Sequence, residues 1–355
     1  MLRKLRGLII FGIVAVLVFA VFLSGAVGKK AALSVSSDPA GQKVLLDNQE
    51  VGTTPYLSDQ MEDGNPVLNF GNFTQKIRLT AGALTVVDWI LGPSETFSAG
   101  QVAWFSESST GSELVVITRP VAEVFLNGES LGDSPLSKPL SEGEYDLELK
   151  KEGYFSRKIK VAVKEGFRLN VSVNLAIDPF PADPKKLPSP NPNLTVLDLS
   201  SSSSLLAADP VSWVAGAVFW MARGDDPTTY NFFLTAEGKL YDSTGSEVSL
   251  SSLSQISEKR MLGYLGEVPG SLSSAASSSL ASLSARLYPA APKVLILDTG
   301  IGYLKVRSGP GKNYSQIGQA NVGSKYTYLG EQSGWYKIDF QGKEGWVSTD
   351  YARKL

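Results

Sequence analysis

Two stretches of this chain repeat each other, so the chain must fold in part as two copies of one unit. The first runs from Ser37 to Pro55 and the second from Arg119 to Pro135. From Val44 and Val124 onward they keep an offset of 80 positions without a gap. Asp47-Asn48 and Asn127-Gly128 fall at the same place in each. Asn, Asp and Gly tolerate positive φ, so both pairs predict tight hairpin turns. Gly52 with Pro55, and Gly132 with Pro135, mark the next bend.

The second copy continues as strands. Tyr145, Leu147 and Leu149 alternate with Asp146, Glu148 and Lys150. After the Lys151-Glu152-Gly153 turn, Ile159, Val161 and Val163 alternate with more polar neighbours. Phe167, Leu169, Val171, Val173 and Leu175 do so again. A period of two is that of a half-buried strand, and such strands predict small antiparallel β-sandwich modules. The first copy departs in its second half, which runs Ile77-Arg78-Leu79-Thr80 and Thr85-Val86-Val87-Asp88-Trp89. Pro120 to Gly128, Gly132 to Pro135, and Glu142-Gly143-Glu144-Tyr145 leading to Lys151-Glu152-Gly153-Tyr154 resemble the PEGA domain family. The first copy resembles a divergent relative. The resemblance implies an extracytoplasmic β module and brings no catalytic residues.

The N-terminus predicts where the modules stand. Arg3, Lys4 and Arg6 precede an uncharged run of 22 residues from Gly7 to Gly28, and Lys29-Lys30 closes it. As a helix the run is about 33 Å long, enough for a hydrocarbon core of about 30 Å. It has no polar face at helical spacing. The charge bias keeps the N-terminus cytoplasmic and exports the rest. The expectation is a single-pass membrane anchor with the C-terminal part outside the cytoplasm. Ser24-Gly25-Ala26 offers a cleavage site for the competing reading, a signal peptide and a secreted chain.

Composition narrows the chemistry. The formal net charge is −2, so no broad basic field exists for nucleic acid. The 355 residues hold neither Cys nor His. That excludes disulfides, Ser-His-Asp triads, Cys-His dyads and histidine-bound zinc. No cofactor and no metal is expected. Asp225-Asp226 lacks the ladder of ligands that calcium loops use.

The remaining segments divide by composition. Asp178 to Pro192 holds six prolines in fifteen residues and predicts a semi-rigid spacer. Leu194 to Leu199 predicts a strand. Trp213 to Trp220 is an apolar run that periodicity leaves as strand or helix. Tyr230 to Asp242 predicts a hairpin turning at Glu237-Gly238. Leu250 to Leu265 and Leu272 to Leu287 predict helices, the second with Leu272, Ala276, Leu280, Leu283 and Leu287 on one face. The expected layout is thus an anchor (1–30), a divergent PEGA-like module (31–106), a second PEGA-like module (112–176), a proline-rich linker (177–192), a small α+β region (193–292) and a C-terminal module (293–355).

The last module carries the most specific pattern. Val306-Arg307-Ser308-Gly309-Pro310-Gly311, Gly334-Trp335-Tyr336 and Gly345-Trp346-Val347 resemble bacterial SH3-like domains. The resemblance implies a half-open β-barrel attached to an exported protein and often binding cell-wall peptides. Alternation places Tyr336, Ile338 and Phe340 in the core with Leu304 and Val306. It leaves Tyr303, Lys305, Arg307, Trp335, Lys337 and Asp339 outside. An outward Trp beside Tyr and Arg is the composition of a binding hot spot. The candidate ligand-binding residues are Tyr303, Arg307, Tyr314 and Trp335, with Arg307 toward a ligand carboxylate. Trp346 is expected instead to cap the small core.

The whole reads as a mainly β chain of the bacterial cell envelope, a binding protein rather than an enzyme. Its expected partners are the membrane and peptidoglycan, a wall peptide or an envelope protein. A structural or adhesive surface protein without a wall ligand is the alternative. An envelope enzyme with its site in 193–292 is the remaining one, and it would need carboxylates.

Overall fold

The computed structural model describes residues 30–109, 111–224 and 229–355. The expected anchor at 7–28 and the Asp225-Asp226 pair lie outside the described residues. Among the described residues no helix is long and apolar enough to cross a membrane. The chain forms two compact units, one ending at Ser252 and taking in Glu258–Ala281, the other made of Leu253–Ser257 and Ser282–Leu355.

The repeat folds as two equivalent modules. The first comprises β1 (Ala31–Asp38), β2 (Lys43–Leu46), β3 (Gln49–Thr53), β4 (Tyr56–Met61), β5 (Val67–Phe70), β6 (Phe73–Lys76) and β7 (Leu84–Ile90). A connecting strand β8 (Ala99–Glu107) follows. The second module comprises β9 (Glu113–Arg119), β10 (Glu123–Leu126), β11 (Glu129–Asp133), β12 (Leu136–Pro139), β13 (Gly143–Lys150), β14 (Arg157–Val163) and β15 (Phe167–Asn174). The turns form as the residue types demand. Asp47 and Asn48 have φ of 48° and 66°, Asn127 and Gly128 of 51° and 87°. The side chain at the first turn position then ties each hairpin to the next strand. Asp47 Oδ1 accepts from Val67 N–H at 2.9 Å, and Asn127 Oδ1 from Asp146 N–H at 2.8 Å.

Each module contributes a four-stranded sheet, β3-β2-β5-β6 or β11-β10-β13-β14. The remaining strands build one seven-stranded sheet in the order β12-β9-β15-β8-β7-β1-β4. The modules are therefore not purely antiparallel as expected. β1 pairs parallel to β7, and β9 parallel to β15. Each chain copy leaves and re-enters the shared sheet in the same direction after an excursion through its small sheet. Alternation along a strand reports its two faces and carries no information on direction.

β8 joins the modules. It pairs antiparallel to β7 on one side and to β15 on the other. Val102 and Trp104 pack with the first module's core, whereas Ala103 and Phe105 pack with the second's. Neighbouring residues on a strand point to opposite faces. The two small sheets therefore cover opposite faces of the shared sheet. On the second module's face Arg157 reaches across to Asp88 and Gln101.

The proline-rich segment is packed against the fold. Ile177 and Leu187 are buried, Phe180 stacks on Tyr230 with ring centroids 5.8 Å apart, and β16 (Lys186–Leu187) pairs with β17 (Leu194–Asp198). Beyond β17 come α1 (Ser204–Ala208), α2 (Pro210–Met221), β18 (Phe232–Thr235), β19 (Leu240–Asp242), β20 (Arg260–Leu265) and α3 (Ser274–Leu287). The sheet order is β16-β17-β20-β18-β19, with β17, β20 and β18 mutually parallel. The region is α/β in layout rather than the expected α+β. The expected helix over Leu250–Leu265 is also corrected, because Arg260–Leu265 is a strand. A strand between two parallel neighbours is covered on both faces and reads as an unbroken apolar run.

Helix α2 packs on the face that carries Leu199, Phe233 and Leu265. α3 begins over the other, where Tyr264 Oη accepts from Ser273 N–H at 3.1 Å. α2 also anchors the region to the repeat. Trp213 and Trp220 are buried with Ile90, Phe97, Ala99, Ala176 and Ile177. Trp220 Nε1 donates to the Phe97 carbonyl at 3.1 Å, and Gly216 lets the Phe97 ring lie against the helix backbone.

The second unit contains a small β-barrel of β21 (Lys293–Ile296), β22 (Tyr303–Arg307), β23 (Gln316–Asn321), β24 (Lys325–Gln332), β25 (Trp335–Phe340), β26 (Lys343–Ser348) and β27 (Ala352–Lys354). Val294, Ile296, Val306, Ala320, Ile338, Phe340, Val347 and Ala352 form its buried core.

Candidate functional site

The barrel core is closed by alternate residues, and the others stand outside. Val306, Ile338 and Val347 are each fully buried. Their neighbours Arg307, Lys337 and Trp346 therefore project outward. The register lines them up. Arg307 of β22 lies opposite Trp346 of β26, Trp346 opposite Lys337 of β25, and Lys337 opposite Gly330 of β24. Directly opposed residues share one face of a sheet. The outer face thus carries a row of cation, indole and cation across three strands. Lys337 Nζ lies 5.9 Å from the Trp346 ring centroid and 2.6 Å from Glu344 Oε1.

Trp335 joins the same face one step along β25. It lies opposite Ser348, two residues from Trp346. From strand spacing and rise, its Cα is roughly 12 Å from that of Arg307, with β26 between them. The ring is partly buried and partly open to solvent.

Tyr314 is held beside Arg307 by the turn between β22 and β23. Arg307 Nη1 donates to the Tyr314 carbonyl at 2.7 Å. The Tyr314 ring lies over the turn, so that a Cβ on Gly309 would fall 2.3 Å from its Cδ1. Any side chain at 309 would have to push the ring aside. Tyr314 as a whole remains 49% exposed. Arg307 and Tyr314 are therefore in contact, and Trp335 faces them across β26. Tyr303 shares the face but stands at the far end of β22, about 13 Å from Arg307 by strand rise.

Sequence reasoning missed one member. Trp346 does not cap the core as expected, because Val347 fills that position and Trp346 points outward. The Tyr336–Phe340 alternation, applied to Gly345-Trp346-Val347, would have found it.

The α/β region shows a different picture. In parallel sheets ligands bind beyond the carboxyl ends of the strands. There Asp198 ends β17 and is 6% exposed. Its carboxylate accepts from Ser200 N–H at 3.0 Å and from Gly270 N–H at 2.6 Å. It stitches the loops after β17 and β20 together. Among the described residues no group of three or more acidic side chains is placed to hold a metal ion.

The fold and this outer face define a chain of two fused β modules, an α/β region and a terminal barrel with an aromatic and cationic surface. Compared with known families, residues 30–94 and 112–177 match the PEGA domain, and residues 302–352 match the bacterial SH3 domain. The chain thus contains two PEGA domains followed by a bacterial SH3 domain at its C-terminal end. It is also similar to a putative N-acetylmuramoyl-L-alanine amidase, YrvJ, of Bacillus subtilis (strain 168). The two are 44% identical over 48 residues, 14% of this chain and 9% of that protein. The likeness falls on the SH3 region.

Proposed function

We propose that this chain is a membrane-anchored protein of a bacterial envelope whose SH3 domain binds cell-wall peptide. The observation that carries the reading is the outward row of Arg307, Trp346 and Lys337, flanked by Trp335 and Tyr314. Aromatic side chains and Arg dominate binding hot spots, and here they occupy a face the core does not need. The apolar run at 7–28 supplies the anchor and places the modules outside the cytoplasm. The likeness of the SH3 region to part of a putative wall amidase supports a wall ligand. Tyr303, Arg307, Tyr314 and Trp335 form the contact surface, extended by Trp346. The reading assigns no catalytic step to the chain. Tethering raises the local concentration of wall near the module, so a weak groove suffices.

The test is co-sedimentation of the full chain, in detergent, with purified peptidoglycan sacculi. Wild-type protein pellets with the sacculi and Trp335→Ala is depleted from the pellet. Equal sedimentation of the two proteins, or none of either, overturns the reading.

One observation favours a purely structural role as the second reading. β8 and the Arg157–Asp88 pair fuse both PEGA domains into one body, which suits a stiff spacer.

A further inference from the structure

We infer that the wall peptide bound by the SH3 domain presents free carboxylates to a cationic rim formed by Lys305, Arg307 and Lys312; this rests on the wall-binding reading above. The domain is charged against the trend of the chain. Residues 293–355 hold nine Lys and Arg against five Asp and Glu, a formal +4, whereas the whole chain is −2. On the aromatic face itself the cations of β25 and β22 are not equivalent. Lys337 is neutralised by Glu344 at 2.6 Å. Asp339 is committed to its own turn, where Oδ1 accepts from Gly342 N–H. Asp350 accepts from the Ser348 hydroxyl.

On the β22 side no such pairing occurs. Lys305 and Arg307 lie two residues apart on one strand and so share the outer face, about 7 Å apart at Cα. Lys312 stands in the turn that carries Tyr314. Among the described residues none of the three has a carboxylate within ion-pair distance. Arg307 spends one donor on the Tyr314 carbonyl, which fixes the guanidinium without neutralising it. Its remaining donors suit a planar, two-oxygen acceptor. Three unpaired cations beside exposed rings favour a ligand with methyl and methylene groups to lie on the rings and anionic groups at intervals. A peptide bearing free carboxylates has that character. An uncharged bridge of small residues does not.

The experiment compares sacculi in two states, native and with their carboxyls converted to amides by carbodiimide and ammonia. The proteins are the full chain, Trp335→Ala, and the charge reversals Lys305→Glu and Lys312→Glu, both at exposed positions that leave the core intact. Native sacculi are expected to bind wild type about tenfold more tightly than amidated sacculi, and each reversal to weaken binding to native sacculi severalfold. The reversals should lose little on amidated sacculi. Equal binding to both preparations overturns the carboxylate inference, and leaves wall binding standing if Trp335→Ala still loses it. Reversals that bind like wild type overturn the role of the rim. Failure of every protein to bind either preparation overturns both readings together.

Discussion

Arg157 Nη2 donates to Asp88 Oδ2 at 2.8 Å, and the two residues belong to different PEGA domains. Gln101 of β8 sits between them and accepts from Arg157 Nε. Ser36 completes the carboxylate shell, donating to Asp88 Oδ1 at 2.7 Å. Arg157 is 5% exposed, and burial pushes the pKa of its guanidinium down while Asp88 pulls it back up. Removing one partner strands a buried charge, which typically costs about 3–5 kcal/mol. Asp88 keeps 22% of its side chain exposed, so the lower end applies. Asp88→Asn should lower stability by about 3 kcal/mol in urea unfolding followed by tryptophan fluorescence. The double change Asp88→Leu, Arg157→Met should recover most of it. A single-variant loss under about 1 kcal/mol would show that the pair does not hold the modules.

Helix α2 touches Phe97 through a bare backbone. A Cβ on Gly216 would fall 2.4 Å from the Phe97 ring, with both partners buried. Overpacking a filled core costs about 1–3 kcal/mol. Gly216→Ala should therefore lower the thermal midpoint of the first unit. An unchanged midpoint would mean that the helix can back away from the repeat.

Gly309→Ala separates the ligand surface from the fold. The new methyl would displace the ring of Tyr314, a half-exposed residue free to swing outward. Stability should change little and sacculus binding should fall severalfold. Undiminished binding would remove Tyr314 from the contact surface.

Asp209 caps α2, accepting from Ser212 N–H at 3.0 Å and from the Ser212 hydroxyl. The hydroxyl first, then the backbone N–H, holds its carboxyl below the usual value. A folded pKa below the unfolded one, about 3.9, contributes stability above that pH and loses it as pH falls through the folded value. Asp209→Ala should cost about 1 kcal/mol at neutral pH. The gap between variant and wild type should shrink in acid. A gap independent of pH would show that the charge plays no part in the cap.

Much of the local structure was legible. Positive-φ residue types at 47–48 and 127–128 announced the hairpins. Alternation separated Val306, Ile338 and Phe340 from Arg307, Lys337 and Trp335. Asp209-Pro210, an N-cap followed by proline at the first helical position, is the signal that resolves 210–221 as helix where periodicity left strand or helix open. Trp346 obeys the same alternation that placed Trp335.

What a single strand could not reveal was its neighbours. Nothing local in Ala99–Glu107 says that one strand serves two cores, or that β7 and β15 flank it. Arg157 and Asp88 are 69 positions apart, and only the crossing of the second small sheet over the shared sheet brings them together. Backbone preference and side-chain alternation act over a few residues, so the sequence by itself determined turns, faces and the binding-type composition of the barrel. Strand direction, the sharing of β8 and the burial of the ion pair depend on contacts between distant segments, and packing alone decided them.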